Sequence, residues 1–185
     1  TFTYLISYRL KGSDIEISYE VINRDNKTMY FGIGGHPGFC VPNRKGERFT
    51  DYALKFQKDV HPVRIGFSPS CFVDGTKTPF ELDEGNALKL RHDLFDQDAI
   101  VLEDTGDTVT LQNKKKEDVL SLTFPDMHYL GIWHTPKRKA PYVCLEPWAS
   151  LPSSQGIVEE LSTQENLISL DEGKTYINEW RIHIF

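Results

Sequence analysis

The sequence lacks most of the patterns by which catalytic classes announce themselves. No stretch approaches the ~20 apolar residues needed to cross a bilayer, and the opening residues carry no charged-then-apolar leader. Positive charge is scarce: 21 Lys and Arg face 27 Asp and Glu, for a net charge of −6, whereas a nucleic-acid surface needs the opposite sign. The two basic clusters, Lys114–Lys116 and Lys137–Lys139, are short and read as solvated loops. The three cysteines, Cys40, Cys71 and Cys144, are odd in number, far apart and without a C-x-x-C pair. They fit reduced thiols better than a disulfide framework or a zinc site, which makes the cytoplasm the expected compartment. No H-x-x-x-H, P-loop, G-x-G-x-x-G or G-x-S-x-G motif occurs, which argues against zinc hydrolysis, phosphoryl transfer, Rossmann cofactors and serine hydrolase chemistry. Helical spacing is nearly absent too. Its best candidate is Ser154–Leu161, where Ile157, Val158 and Leu161 can share a face, and a single short turn explains that segment as well.

A strict period of two runs through what remains. Phe2, Tyr4, Ile6, Tyr8 and Leu10 alternate with polar neighbours, Lys11-Gly12-Ser13 supplies a turn, and Ile15, Ile17, Tyr19 and Val21 continue the alternation. This predicts a β-hairpin with one wet face. Further strands are expected at Met29–Ile33, Tyr52–Phe56, Ala99–Leu102, Leu120–Phe124, Tyr129–Trp133 and Tyr142–Leu145, and in the final run carrying Tyr176, Trp180, Ile182 and Ile184. Ten or more short strands broken by Gly, Pro, Asn and Asp predict an all-β chain, a sandwich or barrel with few or no helices. One domain over 1–185 is expected. Because the chain opens on Thr1 already inside a strand, it is expected to be part of a longer protein.

Four segments carry residues suited to chemistry. His36 sits in Gly32-Ile33-Gly34-Gly35-His36-Pro37-Gly38-Phe39, a tight loop that can hold an imidazole at a strand end. There it serves either as a proton donor and acceptor near neutrality or merely as a turn residue bonded to nearby backbone. Glu146 closes the apolar run Tyr142–Leu145 and precedes Pro147-Trp148; by period two it points with Cys144 and Tyr142. Partly desolvated there, its carboxylate would have a raised pKa and act as a base near neutral pH; a solvated edge glutamate is the plain alternative. Trp148 offers an apolar platform for a ring-shaped ligand. Trp133 and His134 end another strand, with His134 able to bind a hydroxyl or to be a satisfied loop histidine. Asp96 and Asp98 precede a strand and are either turn formers or acceptors for paired hydroxyls. His61, His92, His128 and His183 lack metal-ligand spacing and read as structural.

These segments together resemble the aldose 1-epimerase (galactose mutarotase) family, in particular its bacterial mutarotase-like branch. The resemblance rests on Asn23, Met29 through Phe39, Asp51-Tyr52, Leu94-Phe95 through Val101, Gly131-Ile132-Trp133, Cys144-Leu145-Glu146-Pro147-Trp148, and finally Leu170, Gly173, Tyr176 and Trp180, in family order over nearly the whole chain. It implies a large antiparallel β-sandwich of the galactose mutarotase type and a small-molecule sugar as partner, with no metal and no organic cofactor. It further implies Glu146 as the base at the anomeric hydroxyl and His36 as the acid at the ring oxygen. The two are expected at opposite ends of one pyranose-sized hollow. Asp98 would hold sugar hydroxyls, with Asp96 the less favoured match, and Trp148, Trp133 and His134 would complete the substrate site. Family members also carry upstream strands with an arginine and another histidine; these would belong to the remaining third of the longer protein. Two readings compete with an epimerase: a non-catalytic carbohydrate-binding sandwich using Trp133 and Trp148, and a structural sandwich with His36 and Glu146 on different faces.

Overall fold

The computed structural model describes residues 1–165 and 167–185. The strands in chain order are β1 (Phe2–Lys11), β2 (Asp14–Asn23), β3 (Met29–Phe31), β4 (Gly38–Cys40), β5 (Ala53–Phe56), β6 (Val63–Phe67), β7 (Val73–Pro79), β8 (Ala87–Lys89), β9 (Ile100–Glu103), β10 (Thr108–Gln112), β11 (Asp118–Thr123), β12 (Tyr129–Trp133), β13 (Tyr142–Trp148), β14 (Ile168–Leu170) and β15 (Thr175–Ile184). Helical structure among the described residues is limited to two single 3-10 turns, Phe49–Asp51 and His92–Phe95. None is long and apolar enough to cross a membrane.

The strands form a seven-stranded sheet in the order β1-β2-β15-β11-β10-β5-β8, a six-stranded sheet in the order β4-β13-β12-β9-β6-β7, and a small β14-β3 pair. The alternation read from the sequence decides which residues fill the space between the two large sheets. Leu54 and Phe56 of β5, Val109 and Leu111 of β10, Leu122 of β11 and Trp180 and Ile182 of β15 meet Ile100 and Leu102 of β9, Leu130 and Ile132 of β12 and Val143 and Leu145 of β13. On each strand these are every second residue. The intervening residues of β9, β12 and β13 therefore lie on the outer face of the six-stranded sheet. That face has its own small apolar cluster, in which Ile65, Val101 and Tyr129 pack with Trp148 and Leu151.

Three expectations need revision. The first hairpin forms in full register, Phe2↔Asn23 to Lys11↔Asp14, around Gly12 at φ +60°. β2 buries Ile17, Tyr19 and Val21, but β1 stands at the edge of its sheet and both its faces are largely wet, with Tyr8 70% and Leu10 80% exposed. The alternation correctly named the apolar face of β1; no described element lies over it. No helix forms within Ser154–Leu161, where Ile157, Val158 and Leu161 are all exposed and so have no buried face to stabilise one. Strands β4, β6, β7, β8, β10 and β14 lie outside the expected runs.

Asn23 shows how a single polar residue ties the periphery down. It is buried, its side-chain amide donates to the carbonyls of Lys27 and Leu170, each at 2.8 Å, and its Oδ1 accepts from the Asp25 amide. It thus fixes the turn after β2 and the end of β14 together. Replacing Asn23 by Ala strands two carbonyls and an amide, and a loss of about 1–3 kcal/mol is expected. Urea unfolding should show a lower midpoint with an unchanged slope.

Candidate active site

The loop between β3 and β4 is built as an extension of the six-stranded sheet. Ile33 O accepts from the Ala149 amide (2.8 Å), Gly35 N–H donates to Pro147 O (2.9 Å), and Pro37 O accepts from the Leu145 amide (3.2 Å). Gly38 then pairs with Cys144 in β4. Residues 33–39 therefore run antiparallel beside β13, one rung after another. Between the Gly35–Pro147 and Pro37–Leu145 rungs, His36 comes to lie opposite Glu146. Directly opposed residues of an antiparallel pair project to the same face, here the outer face.

The glycines make this close approach possible. A Cβ on Gly34 would come within 2.8 Å of the Trp148 ring, and one on Gly35 within 2.7 Å of the buried Trp180 ring. Their neighbour His36 can then reach Glu146, with its Nε2 3.2 Å from Oε1. The imidazole is 62% exposed while the carboxylate is 5% exposed, so the pair has one wet and one dry member. The sheet interior surrounds Glu146 on the remaining sides: it stands opposite Gly131 of β12, whose missing side chain leaves room for the Glu146 Cβ and the Trp148 ring. Burial pushes the Glu146 carboxyl above its ordinary value, and the nearby Asp98 charge adds to this; His36 and a hydrogen bond from the Trp148 side chain pull the other way without winning. The Cys144 thiol, two residues earlier on the same face, is pushed up to about 11, chiefly by burial.

Trp148 lies between two hollows. One, of about 270 Å³, is bounded by the glycine loop, His36 and Ser150. The other is a groove of about 760 Å³ lined by Asp96, Asp98, Arg64 and Lys137 among others. Asp98 is held at φ +80°, a left-handed conformation costly for a non-glycine residue and often found at functional sites. Its Oδ1 accepts the indole N–H of Trp133 at 2.8 Å. The Trp133 ring in turn stands edge-on to His36, with centroids 6.0 Å apart.

The structure therefore brings His36, Glu146, Trp148, Trp133 and Asp98 to one face, and Asp96 to the adjoining groove. The reading of His36 and Glu146 on different faces fails. They are also not at opposite ends of a hollow but in contact, because they occupy one rung of the sheet. His134 does not join them. One residue past Trp133, it points to the core, is 0% exposed, and packs against Phe49 and Phe95. Its Nδ1 donates to Thr135 O at 2.9 Å, so in the neutral ring Nε2 is the acceptor for His92 Nδ1–H, 3.0 Å away. Period two, applied one residue further along β12, predicts this placement. Sequence reasoning passed over Cys144, Arg64 and Lys137. The same alternation that grouped Cys144 with Glu146 was the available signal for the first; Lys137 reads only as part of a solvated basic loop, and nothing local marks Arg64. Among the described residues, one group of potential metal donors stands out: His36, Cys144 and Glu146 place one donor atom each within 4.8 Å of the others.

An almost entirely antiparallel β-sandwich of this kind matches the fold of the galactose mutarotase-like proteins. A galactose mutarotase related enzyme from Lactobacillus acidophilus superposes on the whole chain with a TM-score of 0.90 and 27% identity, over 61% of its own length. A galactose mutarotase-like protein from Lactobacillus casei does so with a TM-score of 0.88 and 28% identity, over 63% of its length. Residues 1–182 match the family model of aldose 1-epimerase, and the chain belongs to that family. The chromosomal and plasmid LacX proteins of Lactococcus lactis subsp. lactis are each 33% identical over 180 residues, covering 94% of this chain. The chain spans about 60% of the length of these curated relatives.

Because a methyl group on Gly35 would meet the buried Trp180 ring, Gly35→Ala must displace either the indole or the loop that carries His36. Overpacking of this kind costs about 1–3 kcal/mol. Thermal unfolding should show the loss, and the His36 ring resonances in an NMR spectrum should move with it.

Proposed function

We propose that the chain carries the acid–base pair of an aldose 1-epimerase, with Glu146 as base, His36 as acid and a hexose or hexose phosphate as substrate. The observation that carries this reading is the 3.2 Å contact between an exposed imidazole and a desolvated carboxylate on an open sheet face. In a cyclic aldose the anomeric hydroxyl oxygen and the ring oxygen are both bonded to C1. Acid and base must therefore converge on one edge of the sugar, and a contact pair suits this better than two groups at opposite ends of a ring.

In ring opening, Glu146 takes the proton of the C1 hydroxyl while protonated His36 gives its proton to the ring oxygen as the C1–ring oxygen bond breaks. The open aldehyde turns about its C1–C2 bond and presents its other face. Neutral His36 then takes the proton back from the chain hydroxyl as it attacks C1, and Glu146 returns its proton to the former aldehyde oxygen. The sum is an exchange of anomers with both side chains restored. Before each turnover the two carry opposite charges, so their contact stabilises the state the reaction starts from. Trp148 and Trp133 supply apolar surface for the sugar face, and Asp98, fixed by the Trp133 N–H, accepts sugar hydroxyls. His134, buried in the core, is left out of the substrate site.

The test is the decay of optical rotation of freshly dissolved α-glucose, α-galactose and their 6-phosphates. Glu146→Gln is expected to lower the catalysed rate by about 10²–10⁴-fold; equal rates in the two proteins would remove Glu146 from the chemistry. The base form is lost as pH falls through a raised carboxyl pKa, so the acid limb of kcat/KM should lie above the usual carboxylate range. The same shift has a stability sign. A carboxyl that holds its proton more tightly when folded makes the protein less stable as pH rises through the interval between its unfolded and folded values. Glu146→Gln should therefore melt no lower than the parent at neutral pH, which separates lost chemistry from lost fold.

A further inference from the structure

The acid–base reading leaves the thiol beside it unused. Cys144 and Glu146 are alternate residues of β13 and so project side by side, while His36 reaches them from the neighbouring loop; one donor atom from each lies within 4.8 Å of the other two. We propose that His36, Cys144 and Glu146 bind a single divalent cation of the zinc class, and that the bound ion blocks the acid–base pair. The second half of this proposal rests on the function proposed above; the first does not.

The donor set selects the ion. One imidazole, one thiolate and one carboxylate are the mixed N, S and O ligands that Zn²⁺ accepts, whereas Ca²⁺ and Mg²⁺ call for oxygen alone. The spacing fits as well. Ligand atoms held at about 2.0–2.3 Å from a tetrahedral ion are roughly 3.3–3.8 Å apart. His36 Nε2 and Glu146 Oε1 are already 3.2 Å apart, and the remaining separations, all within 4.8 Å, need to close by at most about 1.0–1.5 Å. The exposed His36 ring is free to swing, and side-chain torsions of Cys144 and Glu146 supply the rest while the backbone of their strand stays paired. Three protein ligands leave a fourth position open towards the hollow, where water completes the shell. Binding converts the Cys144 thiol to a metal-bound thiolate and releases its proton to solvent. The ion then occupies the Glu146 lone pair that would accept a sugar proton and the His36 nitrogen that would carry one. Metal binding and anomer exchange are thus mutually exclusive.

Co²⁺ is the probe for occupancy. Titrated into the reduced protein without oxygen or thiol reductants, it should give tetrahedral d–d bands and a thiolate-to-cobalt charge-transfer band at one equivalent. Zn²⁺ should abolish both bands by displacement. Cys40 and Cys71 are exposed and offer competing thiols, so the bands must survive in the Cys40→Ser, Cys71→Ser double variant. They must disappear in Cys144→Ala, and also in His36→Ala, whose exposed ring can be removed without disturbing the core. Loss of an outer-shell partner already costs about 10–100-fold in metal affinity, so loss of a direct ligand should raise the half-inhibitory Zn²⁺ concentration by at least about 100-fold. Each variant that turns over is compared with its own metal-free rate. Bands that persist without Cys144, or absence of bands from the parent, would overturn the site. Intact bands in a protein that never accelerates mutarotation would keep the metal site and sink the enzymatic reading. Mutarotation left unchanged by Zn²⁺ at a concentration that abolishes the cobalt bands would refute the block.

Discussion

Everything at the site follows from a carboxylate held almost out of water. Glu146 sits in the middle of a sheet, 4% exposed, where an ion without partners is costly. The fold meets this cost with neighbours instead of solvent: the His36 imidazole on one side and the Trp148 side chain on another. The compensation is incomplete, so the carboxyl keeps its proton to higher pH than usual. A base of intermediate strength is what proton transfer near neutrality requires. Burial, which weakens the fold, and the reactivity proposed for Glu146 are two sides of one placement.

The same placement admits two chemistries that use the same lone pairs. In the proposed proton chemistry, His36 and Glu146 would be a donor and an acceptor that exchange roles during one turnover. With a thiophilic cation, Cys144 joins them and both groups become ligands. The glycines of residues 32–38 serve either use, because without side chains they let the loop lie against Trp148 and Trp180 while His36 reaches over the sheet. The buried His92–His134 pair is the contrasting arrangement. There a histidine on the opposite face of the same sheet is satisfied by a ring nitrogen and a carbonyl and is shut off from the hollow.

Much of this was legible in the chain itself, and the limits have physical causes. Alternation named the faces of β2 and β13 because those strands border a continuous core, where every second residue must be apolar. It was silent for β7, whose residues are mostly exposed, and for the short β8 and β14. It named a buried face on β1 that no described residue covers, since periodicity records which side is apolar and not what lies above it. His36 and Glu146 were visible as residues in unusual local settings, a glycine-rich loop and a strand end before proline. Their contact was not, because it depends on which strand the loop lies beside. His134 was misassigned for want of one further step of the alternation that correctly grouped Tyr142, Cys144 and Glu146.

Residues 33–39 are stitched to β13 by backbone rungs two residues apart, and that spacing makes the distance between His36 and Glu146 a quantised property. A slip of one position would carry the imidazole to the far side of the sheet, among Leu145 and Ile132. There is no intermediate register in which the pair is merely stretched. Insertions or deletions inside this segment should therefore act as an on–off change in evolution and in engineering alike, whereas substitutions around Trp148 can tune the hollow by degrees.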